Sequence, residues 1–352
     1  MLAAVLTLLP VCFGVVCEGA VMPSVQAKAF IVTDAANGRV LFARNADERL
    51  PVASTTKIMT ALITLEQPGL DEKFTADEAA LHVEGSSMGL RVGDTVTLRA
   101  LAAGMLAASG NDAANAAAVR IAGGIPDFVA LMNRRAQELG LYGTHFANPS
   151  GLDAEDHYST ASDLAVLTRE ALKNSDFAAM CAQKRVEAEF GSPPYIRALK
   201  NHNKLLELYD GAIGVKTGYT KKAGRCLVSA AERDGVTLIC VTLGCPDDWN
   251  AHMAVYDCCF AAFSAHKLTA LLPEVYAPVT GAETGQLRLR ASEGVCAALT
   301  DEEYSRVTVR VYAAKFLFAP VKKGYLAGYA IFLLDGMEVG RVGLEVPDSY
   351  AG

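Results

Sequence analysis

The chain has 352 residues, of which 51% are hydrophobic and 20% are charged, with 30 glycines and 13 prolines. This is the composition of a globular protein with enough apolar material for a substantial core, and its length allows two domains or three. The formal net charge is −7 and no run rich in lysine and arginine occurs, which disfavours nucleic acid as a partner.

The N-terminal stretch MLAAVLTLLPVCFGVV is apolar and uncharged, and polar residues begin at CEGA. It is shorter than the ~20 apolar residues of a comfortable membrane span. The stretch therefore predicts a signal peptide over residues 1–20, cleaved near Gly19 or Ala20, with a buried N-terminal helix as the alternative. We expect an exported, extracytoplasmic protein, at the cell wall or on the outer face of the cytoplasmic membrane. An uncleaved N-terminus would attach it to the membrane surface.

Strand and helix signals then follow in turn. KAFIVTDAANGRVLFARN holds two apolar runs on either side of Asn37-Gly38, which predicts a β-hairpin. From Ser54 to about Glu66, apolar residues recur at helical spacing. Residues from about 70 to 200 are mostly helical in pattern, including TLRALAAGMLAAS, NDAANAAAVRIAGG, IPDFVALMNRRAQELG and YSTASDLAVLTREALKN. The last of these helices is expected to be capped by Ser159 or Thr160.

Strand signals return at GAIGVKTGYT and in GRCLVSAAERDGVTLICVTLG, which predicts a second hairpin through Asp234-Gly235, and NAHMAVYDCCFAAFSAH reads as a helix. This order predicts one α/β domain over residues 21–266, with a helical insertion over about 67–205. ALLPEVYAPVTG is expected to be a linker. Short alternating runs separated by turns follow it, which predicts a small all-β domain over residues 267–352.

Three short patterns carry candidate chemistry: Ser54-Thr55-Thr56-Lys57, Ser109-Gly110-Asn111 and Lys216-Thr217-Gly218. Each pattern alone is weak, and Ser54 could simply cap a helix. Together, in this order, they are typical of penicillin-binding proteins and class A β-lactamases.

The spacing of the first pattern suits a nucleophile and its base. Residues three apart share one face of a helix, so the Lys57 amine can lie beside the Ser54 hydroxyl. A serine needs a base to take its proton, and a lysine serves as that base when its pKa is lowered. We expect the helix N-terminus and Lys216 to lower the pKa of Lys57. Ser109 is expected to bridge Lys57 and Lys216, and Asn111 to hydrogen-bond Lys57 and a substrate amide.

The third pattern suits substrate binding. Lys216 and Thr217 offer a charge and a hydroxyl for a substrate carboxylate. Gly218 has no side chain, so a peptide can lie against its strand as an additional strand. The N–H groups of Ser54 and Tyr219 are candidates for an oxyanion hole.

On these patterns the chain resembles the D-alanyl-D-alanine carboxypeptidases, which are low-molecular-weight penicillin-binding proteins of the serine peptidase type. The resemblance extends over FANPSGLDAEDHYSTASDLAVL, NHNKLLELYDGAIGVKTGYTKKAGRCLVSAAERDG and FAPVKKGYLAG, and covers roughly residues 25–348. It implies the penicillin-binding/β-lactamase-like transpeptidase fold, an α/β (α+β) architecture with an antiparallel sheet and a helical insertion, followed by a small all-β domain. It implies no metal or organic cofactor.

The resemblance also implies roles for individual residues. Ser54 would be the acyl-enzyme nucleophile and Lys57 its general base, with Ser109 and Asn111 as the second active-site element. Lys216 would serve the substrate carboxylate and the proton network. The reaction implied is removal of the terminal D-alanine from peptidoglycan pentapeptide stems, and β-lactam antibiotics would acylate Ser54 as covalent inhibitors.

The sequence departs from the family at the expected carboxylate site. Some relatives carry an arginine after the last strand of the catalytic domain, but this segment reads CPDDWNAH, without arginine. Lys216, Thr217 or Thr220 would then hold the carboxylate alone, and His252 is a weaker candidate. Tyr219 stands where some relatives have histidine, and only its backbone is needed for the oxyanion hole.

Four alternatives compete with this interpretation. A class A β-lactamase would need a deacylating glutamate, and Glu155 lacks the expected surrounding pattern. A DD-endopeptidase on the same fold and a non-catalytic wall-binding module are the second and third. The fourth is an esterase using Ser87, because GSSMG over residues 85–89 is a literal G-x-S-x-G. Helical sequence precedes Ser87 where a nucleophile elbow needs a buried strand, which disfavours the esterase.

Overall fold

A computed structural model describes residues 22–281 and 285–350, so the predicted signal peptide lies outside the described residues. The strands of the described part are β1 (Ala29–Asp34), β2 (Val40–Arg44), β3 (Phe74–Thr75), β4 (Thr95–Val96), β5 (Arg185–Gly191), β6 (Pro194–Lys200), β7 (Ala212–Thr220), β8 (Gly224–Arg233), β9 (Val236–Leu243), β10 (Ser264–Lys267), β11 (Val275–Thr280), β12 (Gln286–Ala291), β13 (Cys296–Leu299), β14 (Thr308–Ala313), β15 (Leu317–Phe318), β16 (Leu326–Leu334) and β17 (Met337–Glu345).

Helices fill the middle of the chain and recur later in it. They are α1 (Lys57–Leu65), α2 (Glu78–Leu81), α3 (Leu98–Leu106), α4 (Asn111–Ala122), α5 (Ile125–Glu138), α6 (Ala161–Ala171), α7 (Ser175–Cys181), α8 (Leu205–Leu208), α9 (Asp248–Ala262) and α10 (Asp301–Arg306). Thr160 caps α6 by accepting a hydrogen bond from the Asp163 N–H, as one of the two predicted caps.

The central sheet has the strand order β2-β1-β9-β8-β7, and every neighbouring pair in it is antiparallel. Both predicted hairpins are confirmed, because β1 pairs with β2 and β8 pairs with β9. Gly38 and Gly235 have φ angles of 81° and 78° in these turns, a left-handed conformation that glycine adopts without strain. β7 lies at the edge of the sheet, so within the described part of the chain one side of this strand has no strand neighbour.

Both faces of the central sheet are covered. Ile31 and Ile239 belong to a core shared with α1, α3, α4 and α6, whereas Val32 and Leu238 belong to a second core that contains Tyr256 of α9. Side chains alternate between the two faces of a strand, so a sheet buried on both faces needs strands that are apolar throughout. This explains the uninterrupted apolar run of β9.

Helix α1 is buried along its whole length and packs against α3, α4 and α6. A helix that is apolar on all sides is stable only inside a core. Its few polar side chains are satisfied internally, and the Thr60 hydroxyl donates to the Pro149 carbonyl at 2.7 Å. This burial holds the start of α1, with Lys57, in a fixed position below the sheet edge.

The insertion contains more than helices. A four-stranded sheet of order β3-β4-β5-β6 lies within it, so the prediction of mostly helical structure is wrong for β5 and β6. The two strands pair along their whole length, and β5 buries Val186, Ala188 and Phe190 on one face. That alternation is the sequence signal of a half-buried strand, and it precedes the turn at Ser192-Pro193.

The C-terminal part of the chain is a β domain, as predicted. Its main sheet has the order β14-β16-β17-β12-β11-β15. Strand β10 begins at Ser264, before the predicted boundary at residue 267, and pairs with β13 of this domain. Part of the predicted linker is strand β11, and the short helix α10 begins with a capping box formed by Thr300 and Glu303.

The β1–β2 hairpin joins the two domains. The buried Asp34 carboxylate accepts the Ala298 N–H at 2.9 Å, and Arg39 pairs with Glu303. Burial raises the pKa of Asp34, and the Ala298 hydrogen bond opposes that rise. Among residues 22–281 and 285–350, no helix combines the length and apolar content needed to span a bilayer.

Candidate active site

Ser54 lies in a 3₁₀ turn over Ala53–Thr56, directly before α1. It caps neither element, because the cap positions belong to Val52 and Thr56, whose side chains make no capping hydrogen bond. The helix-cap interpretation of Ser54 is therefore wrong. Its Oγ instead lies 3.0 Å from Lys57 Nζ.

Lys57 is fully buried, and its Nζ contacts three oxygens. These are Ser54 Oγ at 3.0 Å, Asn111 Oδ1 at 2.7 Å and the Ser150 carbonyl at 2.6 Å. Burial holds the pKa of Lys57 well below its usual value, and the nearby Lys216 cation lowers it further. A neutral amine can donate to Asn111 and Ser150 while its lone pair faces the Ser54 hydroxyl proton. Burial, which the sequence did not reveal, is thus the main cause of the lowered pKa.

Ser109 and Lys216 form a second serine–lysine contact. Lys216 Nζ lies 3.0 Å from Ser109 Oγ and 2.8 Å from the Thr217 carbonyl. Burial lowers the pKa of Lys216 to about 7. Within the described residues no hydrogen bond joins Ser109 to Lys57, so Ser109 contacts one of the two lysines that it was expected to bridge.

Asn111 is oriented by the preceding loop. Its Oδ1 accepts from Lys57, its Nδ2 donates to the Glu84 carbonyl at 2.6 Å, and its backbone N–H donates to the Ser86 carbonyl at 2.7 Å. The side-chain amide is therefore fixed with its oxygen toward Lys57. The loop of residues 84–90, here called the Ser87 loop, thus positions a residue of the second pattern.

Asp112 holds the rest of the Ser87 loop. Its carboxylate accepts the Ser87 hydroxyl at 2.6 Å and the backbone N–H groups of Met88, Gly89 and Leu90 at 2.9, 3.1 and 3.0 Å. A carboxylate that accepts several N–H groups fixes a loop more firmly than neutral partners do. The Ser87 hydroxyl therefore has a structural partner, and the element nearest before it is the helix α2 rather than the buried strand that a nucleophile elbow needs.

Gly218 allows β7 to approach the Ser54 turn. A Cβ atom at Gly218 would lie 3.0 Å from Ser54 N and 3.0 Å from the Val52 carbonyl oxygen. Such distances are closer than nearly all real Cβ contacts, and backbone atoms cannot move aside easily. The glycine is therefore needed for contact between two parts of the site, in addition to the predicted room for a peptide.

The three patterns meet at a cleft of about 340 Å³. A larger cavity of about 410 Å³ lies between the sheet and the β domain, but it holds none of the predicted site residues. Lys57, Asn111 and Lys216 are buried. The residues that line the cleft are Ser54, Ser86, Ser109, His202, Lys204, Thr217, Gly218, Tyr219, Arg225, Asp248 and Trp249.

The remaining predicted residues have different surroundings. Tyr219 lines the cleft with a side chain that is 67% exposed. The Thr220 hydroxyl donates to Asp153 at 2.8 Å and accepts the Ala223 N–H, so its proton is already engaged. His252 as a carboxylate-binding residue is wrong, because it is 0% exposed and lies in the second core away from the cleft.

Sequence reasoning missed two groups that support the first pattern. The Ser150 carbonyl reaches Lys57 because Asn148 Oδ1 accepts the N–H groups of Ser150 and Gly151 and so fixes the NPSG turn. The His157 ring accepts the Ala147 N–H and lies 2.7 Å from the Thr56 hydroxyl, and burial lowers its pKa to about 4. The Asn-Pro-Ser-Gly sequence was the available signal for the turn. In the described part of the chain, no cluster of three His, Cys, Asp or Glu side chains could hold a metal ion.

Comparison with known proteins agrees with this geometry. The family profile described as D-alanyl-D-alanine carboxypeptidase, peptidase S11, matches residues 17–247. The carboxypeptidase DacF of Bacillus subtilis is 32% identical over 328 residues, which is 88% of this chain and 82% of that protein. DacB2 of Mycobacterium tuberculosis is 38% identical over 248 residues, covering 68% of this chain and 84% of that protein.

The fold is also similar to a solved relative. The structure of penicillin binding protein 5 from Haemophilus influenzae aligns with a TM-score of 0.75 and 28% sequence identity, covering 95% of this chain and 100% of that chain. The similarity therefore includes both the catalytic domain and the C-terminal β domain. The chain belongs to the D-alanyl-D-alanine carboxypeptidase family of serine peptidases, peptidase S11.

Proposed function

We propose that this chain is a serine-type D-Ala-D-Ala carboxypeptidase that removes the terminal D-alanine from peptidoglycan pentapeptide stems through an acyl-enzyme on Ser54. The observation that carries the proposal is the 3.0 Å contact between Ser54 Oγ and the fully buried Lys57 Nζ. The names of its relatives indicate the substrate.

Acylation uses the two serine–lysine contacts in sequence. Lys57, neutral because of its burial, takes the proton of Ser54 as Oγ attacks the carbonyl carbon of the penultimate D-alanine. The peptide C–N bond then breaks, and the leaving amine of D-alanine needs a proton. Ser109 lines the cleft and would give its proton to that amine, and the Lys216 ammonium would replace the Ser109 proton across their 3.0 Å contact. Water would then attack the acyl carbonyl, and Ser54 would leave with the proton that Lys57 took up.

Substrate binding uses the edge of the central sheet. The stem peptide adds to the free edge of β7 as a further strand, which its backbone hydrogen bonds hold in register. The N–H groups of Ser54 and Tyr219 stabilise the oxyanion, and the close approach of β7 to the Ser54 turn supports this pairing. Thr217, which lines the cleft, and the adjacent Lys216 are the residues of the third pattern proposed to contact the substrate carboxylate, whereas the Thr220 hydroxyl is already engaged with Asp153.

β-Lactams are proposed to acylate the same serine and to form an acyl-enzyme that is hydrolysed slowly. A class A β-lactamase deacylates through a glutamate, but Glu155 is exposed in a turn and is absent from the residues that line the cleft. This favours a carboxypeptidase over a β-lactamase. A DD-endopeptidase would use the same acyl-enzyme chemistry on cross-linked stems, and it remains the second candidate.

We further propose that the chain is exported and acts outside the cytoplasm, in cell-wall maintenance and cell shape. The apolar N-terminal stretch supports a signal peptide over residues 1–20, which would either be removed or attach the chain to the membrane surface. N-terminal sequencing of the cell-associated protein and detergent-free fractionation test this. A mature N-terminus near residue 20 supports cleavage, and an intact N-terminus in the membrane fraction supports attachment.

The activity is tested by D-alanine release from diacetyl-Lys-D-Ala-D-Ala. The wild type and Ser87→Ala are expected to release D-alanine, and Ser54→Ala is expected to release none above background. Equal release by wild type and Ser54→Ala would contradict the proposal. Rapid turnover of benzylpenicillin by the wild type would instead indicate a β-lactamase, and an absence of both release and acylation would indicate a non-catalytic module.

A further inference from the structure

Two arginines on β8 each lie beside an acidic residue of α9 and an aromatic ring, but they differ in their access to the cleft. Arg225 donates through Nε and Nη2 to Asp248 Oδ1 at 3.0 and 2.6 Å and lies 5.3 Å from the ring of Trp249. Arg233, at the other end of the strand, lies 4.0 Å from Asp257 of the same helix, α9. The two arginine side chains are 40% and 39% exposed. Of the two, Arg225 alone lines the active-site cleft.

The strand register directs Arg225 toward the substrate-binding strand. Arg225 is paired with Tyr219 across β7 and β8, and directly paired residues project from the same face of a sheet. Thr217 precedes Tyr219 by two positions and so shares that face. Thr217, Tyr219 and Arg225 therefore converge on one wall of the cleft, beside the third sequence pattern.

The ion pair holds the Arg225 guanidinium and leaves donors available. Asp248 takes two of the five N–H donors of a guanidinium, and its own side chain is only 3% exposed. Among the described residues the Nη1 group has no recorded acceptor. The buried carboxylate and the Trp249 ring thus fix the planar group, while the remaining donors stay open to a ligand in the cleft.

The other cations of the site are less suited to hold a carboxylate. Lys216 already donates to Ser109 and to the Thr217 carbonyl, and burial lowers its pKa to about 7, so part of its charge is lost at neutral pH. Lys204 also lines the cleft, but it is exposed, and a lysine presents a point charge rather than paired donors. A guanidinium keeps its charge at all these pH values and matches a carboxylate with paired N–H donors.

We propose that Arg225, positioned by Asp248 and Trp249, binds the C-terminal carboxylate of the substrate. This contact would make the enzyme prefer substrates whose C-terminal carboxylate is free. Arg225 would thereby supply the arginine that the CPDDWNAH segment lacks, with Asp248 of that segment as its positioning residue. The inference rests on the proposed carboxypeptidase function, because it assigns one more residue to the same reaction.

The test compares two substrates that differ only at the C-terminus, diacetyl-Lys-D-Ala-D-Ala and its C-terminal amide. Arg225→Ala is expected to lower kcat/KM for the free acid about 100-fold, as for the loss of a charged hydrogen-bonded pair. It should change kcat/KM for the amide less than about threefold. Arg225→Lys should recover part of the preference, and Asp248→Asn should raise KM for the acid more than it lowers kcat.

Arg233→Ala is the control, because it removes an arginine of similar exposure from the same strand that also lies beside an aspartate of α9 but does not line the cleft. It should leave the acid-to-amide preference unchanged. If Arg225→Ala lowers kcat/KM equally for the acid and the amide, the role of Arg225 is merely structural and the inference is overturned. The inference is also overturned if neither kcat/KM changes. If the wild type releases no D-alanine, the proposed function fails, and the acylation rates with benzylpenicillin and its methyl ester then decide the role of Arg225 by the same preference.

Discussion

The turn around Ser54 and the Ser87 loop both carry a serine in a pattern associated with nucleophiles, but their surroundings are opposite. The Ser54 hydroxyl faces a buried amine whose pKa is lowered by burial and by a neighbouring cation. The Ser87 hydroxyl donates a hydrogen bond to the Asp112 carboxylate, which also accepts three backbone N–H groups of the same loop. The first arrangement can remove a proton during reaction, whereas the second uses the hydroxyl to hold a loop.

This contrast shows that the group facing the hydroxyl decides the role of a serine. G-x-S-x-G is as literal a match as S-x-x-K, but Ser54 faces a buried amine, whereas Ser87 faces a carboxylate that also accepts backbone N–H groups of its own loop. The two regions still cooperate, because the Ser87 loop fixes Asn111, and Asn111 contacts Lys57. Changes in each region should therefore affect different measurable quantities.

Of these changes, removal of the Lys57 amine should lower the rate of acylation at Ser54 most. Lys57→Ala is expected to lower the rate of acylation by benzylpenicillin about 10²- to 10⁴-fold, because a positioned base contributes roughly that much. Circular dichroism should show a folded protein, since the change also removes the cost of burying an amine. A variant that acylates at the wild-type rate would remove the basis for the contrast with Ser87.

Gly218→Ala tests the close approach between β7 and the Ser54 turn. The added methyl group would meet two backbone atoms at 3.0 Å, and the resulting shift should lower the acylation rate by about 10- to 100-fold. Gly294→Ala is the control, because a methyl group there meets nothing within 4 Å. Equal acylation by both variants would show that the contact is not needed.

Asp112→Asn tests the loop function of the second region. It removes the charge from the five hydrogen bonds that the carboxylate accepts, four of them from the Ser87 loop, so the free energy of unfolding in urea should fall by about 2 kcal/mol. Asp127→Asn also changes an acid in the first turn of a helix, but an exposed one, and should cost less than about 0.5 kcal/mol. Similar losses in the two variants would argue against a special role for Asp112.

The pH dependence of acylation should report Lys57. Lys57 acts as a base when it is neutral, so the acylation rate should rise about tenfold per pH unit. The rate should level off once the pH passes the pKa of Lys57, which lies well below 10.5. The Lys216 cation lowers the pKa of Lys57, so Lys216→Met should move the rising part of the pH–rate profile to higher pH. A pH–rate profile of Lys216→Met that is unchanged, or that is shifted to lower pH, would contradict the coupling of the two lysines.

Ser87→Ala should have the least effect of these changes. It removes one of the four hydrogen bonds that the Ser87 loop donates to Asp112, so the free energy of unfolding should fall by about 1 kcal/mol or less. Acylation by benzylpenicillin should stay within about twofold of the wild type. Loss of all acylation would reverse the comparison and make Ser87 the nucleophile.

Local sequence signals predicted much of the fold. The turns at Asn37-Gly38 and Asp234-Gly235 and the cap at Thr160 were readable because a few adjacent residues determine them. The pair β5–β6 was missed, although Val186, Ala188 and Phe190 alternate, because the helical patterns around it were longer.

The candidate site shows the same division. The three patterns were predicted from their order, and the structure brings them to one cleft. His252 was wrongly considered because its burial depends on the packing of α9 against the sheet. The Ser150 carbonyl was missed because it is 93 positions from Lys57 in the chain.

The sequence by itself determined which groups could react: a serine with a lysine on the next helical turn, and two further patterns with the right polar groups. Only the tertiary structure decided how readily those groups gain or lose a proton at neutral pH. We expect Lys57 to act as the base because burial of α1 lowers the pKa of its amine, and we expect Ser87 to hold a loop because its hydroxyl donates to the Asp112 carboxylate. Proton affinity depends on burial and on charges brought together through space, and neighbours in the chain do not specify either one.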